Sequence, residues 1–282
     1  MGLFARERVR ARTPQQLRAM RVAGLLVGRT LAMLQEEIRP GMTTGHLDAL
    51  AEDHIRSGGG IPNFQLVPGY EHTLCTSVNE EIVHGIPGDR VLREGDLLSI
   101  DCGAEVEGWN GDAAITVVVG GAQAGDPAAA RLSEVTRRSL WAGIAALRRG
   151  GDLNDVGGAV EDSVHTDARA DGVEYGIVED YTGHGIGEQM HLPPMVPNYR
   201  IRGRAPGTPV GSTIAIEPMI TLGAEANHVL ADDWTVVTDS ALPAAHWEHS
   251  VALTERGIWV LTALDGGEAE LTARGAPFGP LD

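Results

Sequence analysis

Two short stretches, far apart in the chain, follow one pattern. Gly95-Asp-Leu-Leu-Ser-Ile-Asp101 and Gly211-Ser-Thr-Ile-Ala-Ile-Glu217 both read G-x-x-x-x-I-[D/E]. Each opens on a glycine, runs through apolar residues as a buried strand and ends on a carboxylate. A fainter echo precedes them: Arg39-Pro40-Gly41 and Arg149-Gly150-Gly151 each open onto a helix. Thr13 caps a first helix whose first turn holds Pro14, and Leu17, Met20, Leu25, Val27, Leu31 and Leu34 carry its apolar face to the stop at Arg39-Pro40-Gly41. A second helix runs from Thr43 or Thr44 through Ile55 to Gly58-Gly59-Gly60. Short apolar runs separated by Gly, Pro and Asn then predict strands and turns over 64–119. Helices over 128–149 and 153–170 and a second strand-rich region over 177–261 repeat the order. The chain therefore reads as an α+β domain built from two similar halves, about 13–122 and 123–264. An Arg-rich arm, 1–12, precedes it. A Gly/Pro-rich tail, 265–282, has little apolar material and is expected to be flexible and to add nothing to the core.

Charge narrows the function classes. The 282 residues hold 39 acidic and 22 basic side chains, net −17, and every basic one is Arg. Residues 1–39 carry eight Arg against three Glu, a local +5, which leaves about −22 on the rest. An acidic body argues against non-specific nucleic-acid binding, which needs clustered cations. No apolar run approaches the roughly 18 residues of a membrane span, and the Arg-rich start lacks the apolar core of a signal peptide. A cytoplasmic protein is expected. Cys75 and Cys102 lack a CxxC spacing and read as buried, reduced thiols.

Five residues are harder to explain as structure. Asp101 ends the run Leu97-Leu98-Ser99-Ile100, and Asp112 begins another after a turn-rich loop with Gly108, Asn110 and Gly111. A hairpin would bring both carboxylates together. Glu217 ends a strand before Pro218, Glu248 opens one, and His184 lies among Gly183, Gly185 and Gly187, which let the backbone come close to something. Any one acid at a strand end is ordinarily a turn cap or a solvated rim, and one histidine is ordinarily a satisfied loop residue. Four carboxylates and an imidazole together need a counter-charge. Mostly oxygen ligands suit Mn, Fe, Co or Zn rather than Cu(I) or an iron–sulfur cluster.

Longer stretches carry a resemblance. Cys75-Thr-Ser-Val-Asn-Glu-Glu-Ile-Val-His84-Gly-Ile-Pro, Ser99-Ile-Asp101-Cys-Gly, Gly108-Trp-Asn-Gly-Asp112, Gly183-His184-Gly-Ile-Gly, Ile216-Glu217-Pro-Met and Trp247-Glu248-His occur in one order. Over about residues 14–262 the chain resembles type I methionine aminopeptidases. The resemblance implies the pita-bread fold, two pseudo-symmetric halves with helices around a curved antiparallel sheet. It implies metal-dependent removal of the N-terminal methionine from nascent proteins and peptides when the second residue is small, by metal-bound hydroxide attack on the first peptide bond. Asp101, Asp112, His184, Glu217 and Glu248 would ligate two divalent ions (Co, Mn, Fe or Zn), with Asp112 and Glu248 bridging. Glu217 would double as general base. His84 and His191 would contact the substrate and the developing tetrahedral centre, and Phe64, Tyr70, Cys75, Met190 and Trp234 would line the methionine pocket.

Two departures stand out: His191-Leu192-Pro193 where many relatives have an acidic pair after the histidine, and Ala215 where a Thr often precedes the metal-binding Glu. The same five ligands occur in Xaa-Pro aminopeptidases and prolidases, which carry a large extra N-terminal domain. Here about 13 residues precede the first helix, and the contexts of His84 and Glu248 favour methionine removal. A non-catalytic binding protein of this fold would have lost ligands, and all five are present. A monomer is expected, with no specific nucleic-acid partner. The basic N-terminal helix is the one candidate contact with ribosomal RNA, and Met1-Gly2 is itself a sequence from which methionine removal is expected.

Overall fold

The computed structural model describes residues 9–281. Helix α1 (Pro14–Glu37) starts at Thr13, whose hydroxyl accepts from the Gln16 N–H while the Gln16 side chain accepts from the Thr13 N–H. Its buried face holds Leu17, Met20, Leu26, Val27, Leu31 and Leu34, so Leu26 faces the core where the spacing pointed to Leu25. α2 (Thr44–Ser57) is capped by the Thr43 hydroxyl and ends at Gly58. Five strands follow: β1 (Ile61–Pro62), β2 (Leu74–Val78), β3 (Glu81–Val83), β4 (Leu97–Val106) and β5 (Trp109–Val118). β1 and β2 share one edge of β4, and β5 takes the other, all antiparallel.

The order then recurs. α3 (Pro127–Ala146) and α4 (Leu153–Asp171), capped by Asp126 and Asp152, lead into β6 (Tyr175–Ile177), β7 (Gly183–Gly185), β8 (Leu192–Val196), β9 (Thr213–Ile216), β10 (Met219–Leu222), β11 (Asn227–Val229), β12 (Val236–Thr238), β13 (Ala244–His246), β14 (His249–Leu253) and β15 (Ile258–Val260). These form antiparallel sheets in the orders β15-β14-β9-β7-β8, β13-β10-β6 and β11-β12-β3. The repeated heptads hold equivalent places. Gly95 and Gly211 both take left-handed backbone, φ 88° and 87°, a conformation open to glycine at little cost. Each is followed by a strand, β4 or β9, whose Ile100 or Ile216 is fully buried.

The halves meet along a hydrogen-bonded seam. Ala114 and Glu248 exchange both backbone bonds, at 2.9 and 3.3 Å, and the Ser250 hydroxyl accepts from the Asp112 N–H and donates to the Asp112 carbonyl. Ser99 and Thr116, buried on the β4–β5 pair, hold the backbone of His246 in the same way. Apolar clusters lie between α1, α2 and the first sheet and between α3, α4 and the second.

Three expectations change. Over its described residues, 265–281, the tail is docked: α5 (Glu268–Ala273) buries Leu271 completely, and Arg137 Nη1 lies 2.6 Å from Glu270 Oε1. Ile258 N–H donates to the Pro277 carbonyl and Gly279 N–H to the Ile258 carbonyl. The tail looked unattached because it has few apolar residues. It is held instead by backbone bonds to β15, which lies at the edge of its sheet and has bonding groups to spare. The N-terminal arm also shortens. Val9 is buried, Ala11 bridges to Ser212, and the buried Arg12 guanidinium pairs with Glu188 at 2.7 Å, while residues 1–8 of the proposed arm lie outside the described residues. Arg18 and Arg21 of α1 turn to the C-terminal segment, donating to the carbonyls of Leu281 and of Val260, Leu261, Ala263 and Leu264. Third, β4 does not stop at Asp101 but continues to Val106, and the link to β5 is only Glu107-Gly108. Both thiols are free and buried.

Candidate active site

On the unbroken β4–β5 pair, Asp101 lies opposite Ala114 and Asp112 opposite Gly103. Residues opposite each other share a face and strand positions alternate, so the two carboxylates are diagonal neighbours on one face. Glu217 and Glu248 occupy a different backbone setting. His249 is opposite Ile216, and His246 is opposite Met219, so the links Glu217-Pro218 and Trp247-Glu248 face each other where the β9/β14 ladder gives way to β10/β13. Pro218 has no N–H to continue the ladder. Both glutamates thus project from a shared break.

His184 comes from β7, within a strand rather than a free loop, paired with Met195. The flanking glycines serve packing between chain segments: a Cβ on Gly183 would collide with the Ala215 carbonyl, and one on Gly187 with the Arg12 guanidinium. His184 Nδ1 lies 2.9 Å from the Gly185 carbonyl, which can only accept, so Nδ1 carries the proton. Burial pushes this imidazole down to about 3, keeping it neutral, so Nε2 presents a lone pair. That lone pair faces Glu217 Oε1 at 3.4 Å and Asp112 Oδ2 at 3.9 Å.

A cation fits this arrangement on several counts. Ligand atoms of Asp101, Asp112 and Glu248 lie within 4.8 Å of one another, as do those of His184, Glu217 and Glu248 and those of Asp112, His184 and His191. Asp101 Oδ1, Asp112 Oδ1 and Glu248 Oε1 are buried without hydrogen-bond partners among the described residues. Burial raises the Asp101 carboxyl to about 7, and burial plus mutual repulsion pushes Asp112, Glu217 and Glu248 well above the carboxylate range. Four acids and an imidazole lone pair converging in one buried space are stable together when positive charge sits among them.

Beside this cluster lies a cavity of about 190 Å³. Phe64, Tyr70, Cys75, Met190 and Trp234, all named from the resemblance, line it together with Asp101, Asp112, His184, Glu217, Glu248, His84 and His191. The rings interlock edge to face, Tyr70 on Trp234 at 4.9 Å and on Phe64 at 6.4 Å, and the Tyr70 hydroxyl is tied to the Leu74 carbonyl at 2.7 Å. Burial keeps Cys75 a thiol. His84 has left-handed backbone, φ 61°, which costs a non-glycine residue about 1–3 kcal/mol and aims its ring between Tyr181 and Trp234. Burial lowers it to about 4. His191 is exposed at the mouth, its ring centroid 4.4 Å from that of His184.

Sequence reasoning passed over three residues here. Val67 and Val83 also line the cavity; as isolated valines they carry no signal. His246 is 1% exposed, and its Nε2, with no hydrogen-bond partner among the described residues, lies 3.9 Å from Glu217 Oε2. A histidine at the inward position of the apolar run Ala244-Ala245-His246 was the available hint.

Two helix–helix–strand halves holding buried acids and imidazoles against an apolar cavity describe a metal-dependent hydrolase. The chain belongs to metallopeptidase family M24, whose model matches residues 18–255. It is 46% identical over 267 residues to methionine aminopeptidase 1 of Mycobacterium tuberculosis (strain CDC 1551 / Oshkosh), covering 93% of this chain and 99% of that one. The crystal structure of methionine aminopeptidase from Thermotoga maritima matches with TM-score 0.85 at 35% identity, over 90% of this chain and 99% of that one. Prolidase from Pyrococcus furiosus matches with TM-score 0.66 at 20% identity, over 90% of this chain but 65% of the prolidase, a likeness of fold alone. The fold is the pita-bread fold of these proteins.

Proposed function

We propose that the chain removes the N-terminal methionine from nascent proteins and peptides whose second residue is small. The observation that carries this reading is the apolar cavity that opens onto the acid cluster. Its aromatic edges and the Met190 thioether offer a methionine side chain dispersion and sulfur–ring contacts, with the scissile bond left at the acids. Asp101, Asp112 and Glu248 would hold one divalent ion, and His184, Glu217 and Glu248 a second. Glu248 belongs to both triads, which supports a shared ligand, and Asp112 lies close enough to His184 to be another. The oxygen-rich donor set suits Mn, Co, Fe or Zn. Such ions supply Lewis acidity and water activation at neutral pH.

The chain's own groups do the rest. Glu217 accepts the proton of the attacking water and passes it to the departing amine. His84, neutral, donates to the oxygen that gains charge at the first peptide bond, and its strained backbone presets that direction. His191, at the mouth, steadies the peptide beyond the bond. The cavity wall excludes water from the methionine side chain. No helix among the described residues is long and apolar enough to cross a membrane.

Hydrolysis of Met-X-Ser peptides, X running from Gly to Leu, against Gly-Pro and Ala-Pro peptides with Mn or Co supplied tests the proposal. Strong Met-Gly and Met-Ala cleavage without Xaa-Pro activity is expected. Cleavage confined to Xaa-Pro substrates would assign the prolidase-like alternative, and no cleavage and no metal uptake would assign a binding protein.

A further inference from the structure

Glu217 sits between two imidazoles. His184 Nε2 approaches Oε1 at 3.4 Å, and His246 Nε2 approaches Oε2 at 3.9 Å. The two histidines differ in kind. His184 borders the cavity and has its Nδ1 proton fixed by the Gly185 carbonyl, whereas His246 does not border the cavity and stands behind Glu217. Among the described residues, His246 Nε2 has no hydrogen-bond partner, and the only carboxylate oxygen within ion-pair distance of it is Glu217 Oε2.

The backbone of His246 is held with unusual completeness. Its N–H donates to Thr116 Oγ1 at 3.0 Å and Ser99 Oγ at 3.2 Å, and its carbonyl accepts from Thr116 Oγ1 at 2.6 Å. These hydroxyls, 2.8 Å apart and buried, stand on the β4–β5 pair that bears Asp101 and Asp112. The imidazole is therefore positioned by the first half of the molecule while it faces a carboxylate of the second. An unpartnered buried nitrogen costs stability, so a position that retains one beside a reacting carboxylate calls for a role.

We propose that His246 is a positioning residue for the hydrolytic step: its Nε2, 3.9 Å from Glu217 Oε2, is placed to donate to that oxygen when the carboxylate turns toward it, and so sets the orientation in which Glu217 handles the proton of the attacking water. This rests on the assignment of Glu217 above. Outer partners of this kind orient the ligating carboxylate without touching substrate.

The test compares H246Q, which keeps an N–H donor at similar reach, with H246M, of similar length and bulk but with no donor. Each is loaded with Co(II) and assayed for metal content, visible absorption and steady-state hydrolysis of Met-Ala-Ser. In H246M, kcat is expected to fall about 10–100-fold, with KM changed far less and the Co(II) bands shifted, because the carboxylate loses its orienting partner. H246Q is expected to recover most of kcat and the wild-type spectrum. H246M with wild-type kcat and spectrum would overturn the proposal, as would H246Q impaired as severely as H246M, since packing alone would then explain the site. Should the wild-type protein leave every methionyl peptide intact, the assigned reaction fails. The Co(II) spectra of the two variants still decide whether His246 orients Glu217.

Discussion

The two halves deliver their carboxylates from opposite kinds of backbone. In the first, Asp101 and Asp112 stand on a strand pair whose ladder runs without interruption from Leu97 to Val118. In the second, Glu217 and Glu248 stand where both neighbouring strands change partners at one break. The short acid occurs on the continuous strands and the longer one at the interruption. A pleated strand already aims its side chains at the concave face, so one methylene reaches the centre. At the break the backbone leaves the ladder, and the second methylene spans the difference. The duplication evident in the G-x-x-x-x-I-[D/E] heptads preserves a carboxylate position, while side-chain length follows the backbone that carries it.

This contrast is open to test. The largest effect is expected from removing divalent ions, which takes away what both acid pairs converge on. Chelation should abolish hydrolysis and Mn or Co restore it, and undiminished turnover by protein shown to be metal-free would mean that the two pairs do not work through a shared ion. Next, Glu217→Gln keeps the reach from the break but removes the base, and kcat should fall about 10²–10⁴-fold with the fold retained, as read by circular dichroism. Glu217→Asp keeps the charge and removes the reach. A smaller loss, about 10–100-fold, is expected in metal affinity by titration, comparable to disturbing a ligand's orientation. Wild-type affinity in this variant would show that length is not what the break requires.

The smallest effect concerns stability without metal. The four acids are raised, Asp101 to about 7, while burial pushes His184 and His246 to about 3 and His84 and His249 to about 4. Between about pH 4 and 6.5 the unfolded chain binds protons on these imidazoles that the folded one does not, so they favour folding as pH rises, while the acids oppose it. Above about 6.5 the imidazoles are neutral in both states, and only the acids, protonated in the folded state, still act. The melting temperature of metal-free protein should therefore fall as the pH rises from about 6.5 past 7, and divalent ions should remove the fall. A melting temperature that is flat or rises with pH would count against four acids sharing one buried space.

Much of the site could be read along the chain because its donors sit in local patterns. Asp101 and Glu217 end apolar runs, His184 lies among glycines, and His84 follows a long distinctive stretch. Val67 and Val83 could not be read in this way, and His246 left only the hint of a histidine in an apolar run. A lone valine or histidine in an apolar run looks the same whether it meets core or cavity, and only the neighbours brought by the fold tell these apart. The tail misled for a related reason. Its few apolar residues argued for detachment, but backbone groups on β15 hold it, and backbone bonding leaves no trace in composition.

From the sequence alone follow the first four helices and the Thr13 cap of the first, the repeated order of elements, and the set of acids and histidines that demand positive charge. These depend on residue type and short spacing. The tertiary structure alone decided that Asp101 and Asp112 lie mid-strand, that Glu217 and Glu248 share one break, that Ser99 and Thr116 grip His246 across the seam, and that the N- and C-terminal segments pack against the second half. Each of these joins residues distant in the chain through register or backbone bonding. Register between strands is set by how whole faces pack, not by the residues of any one segment.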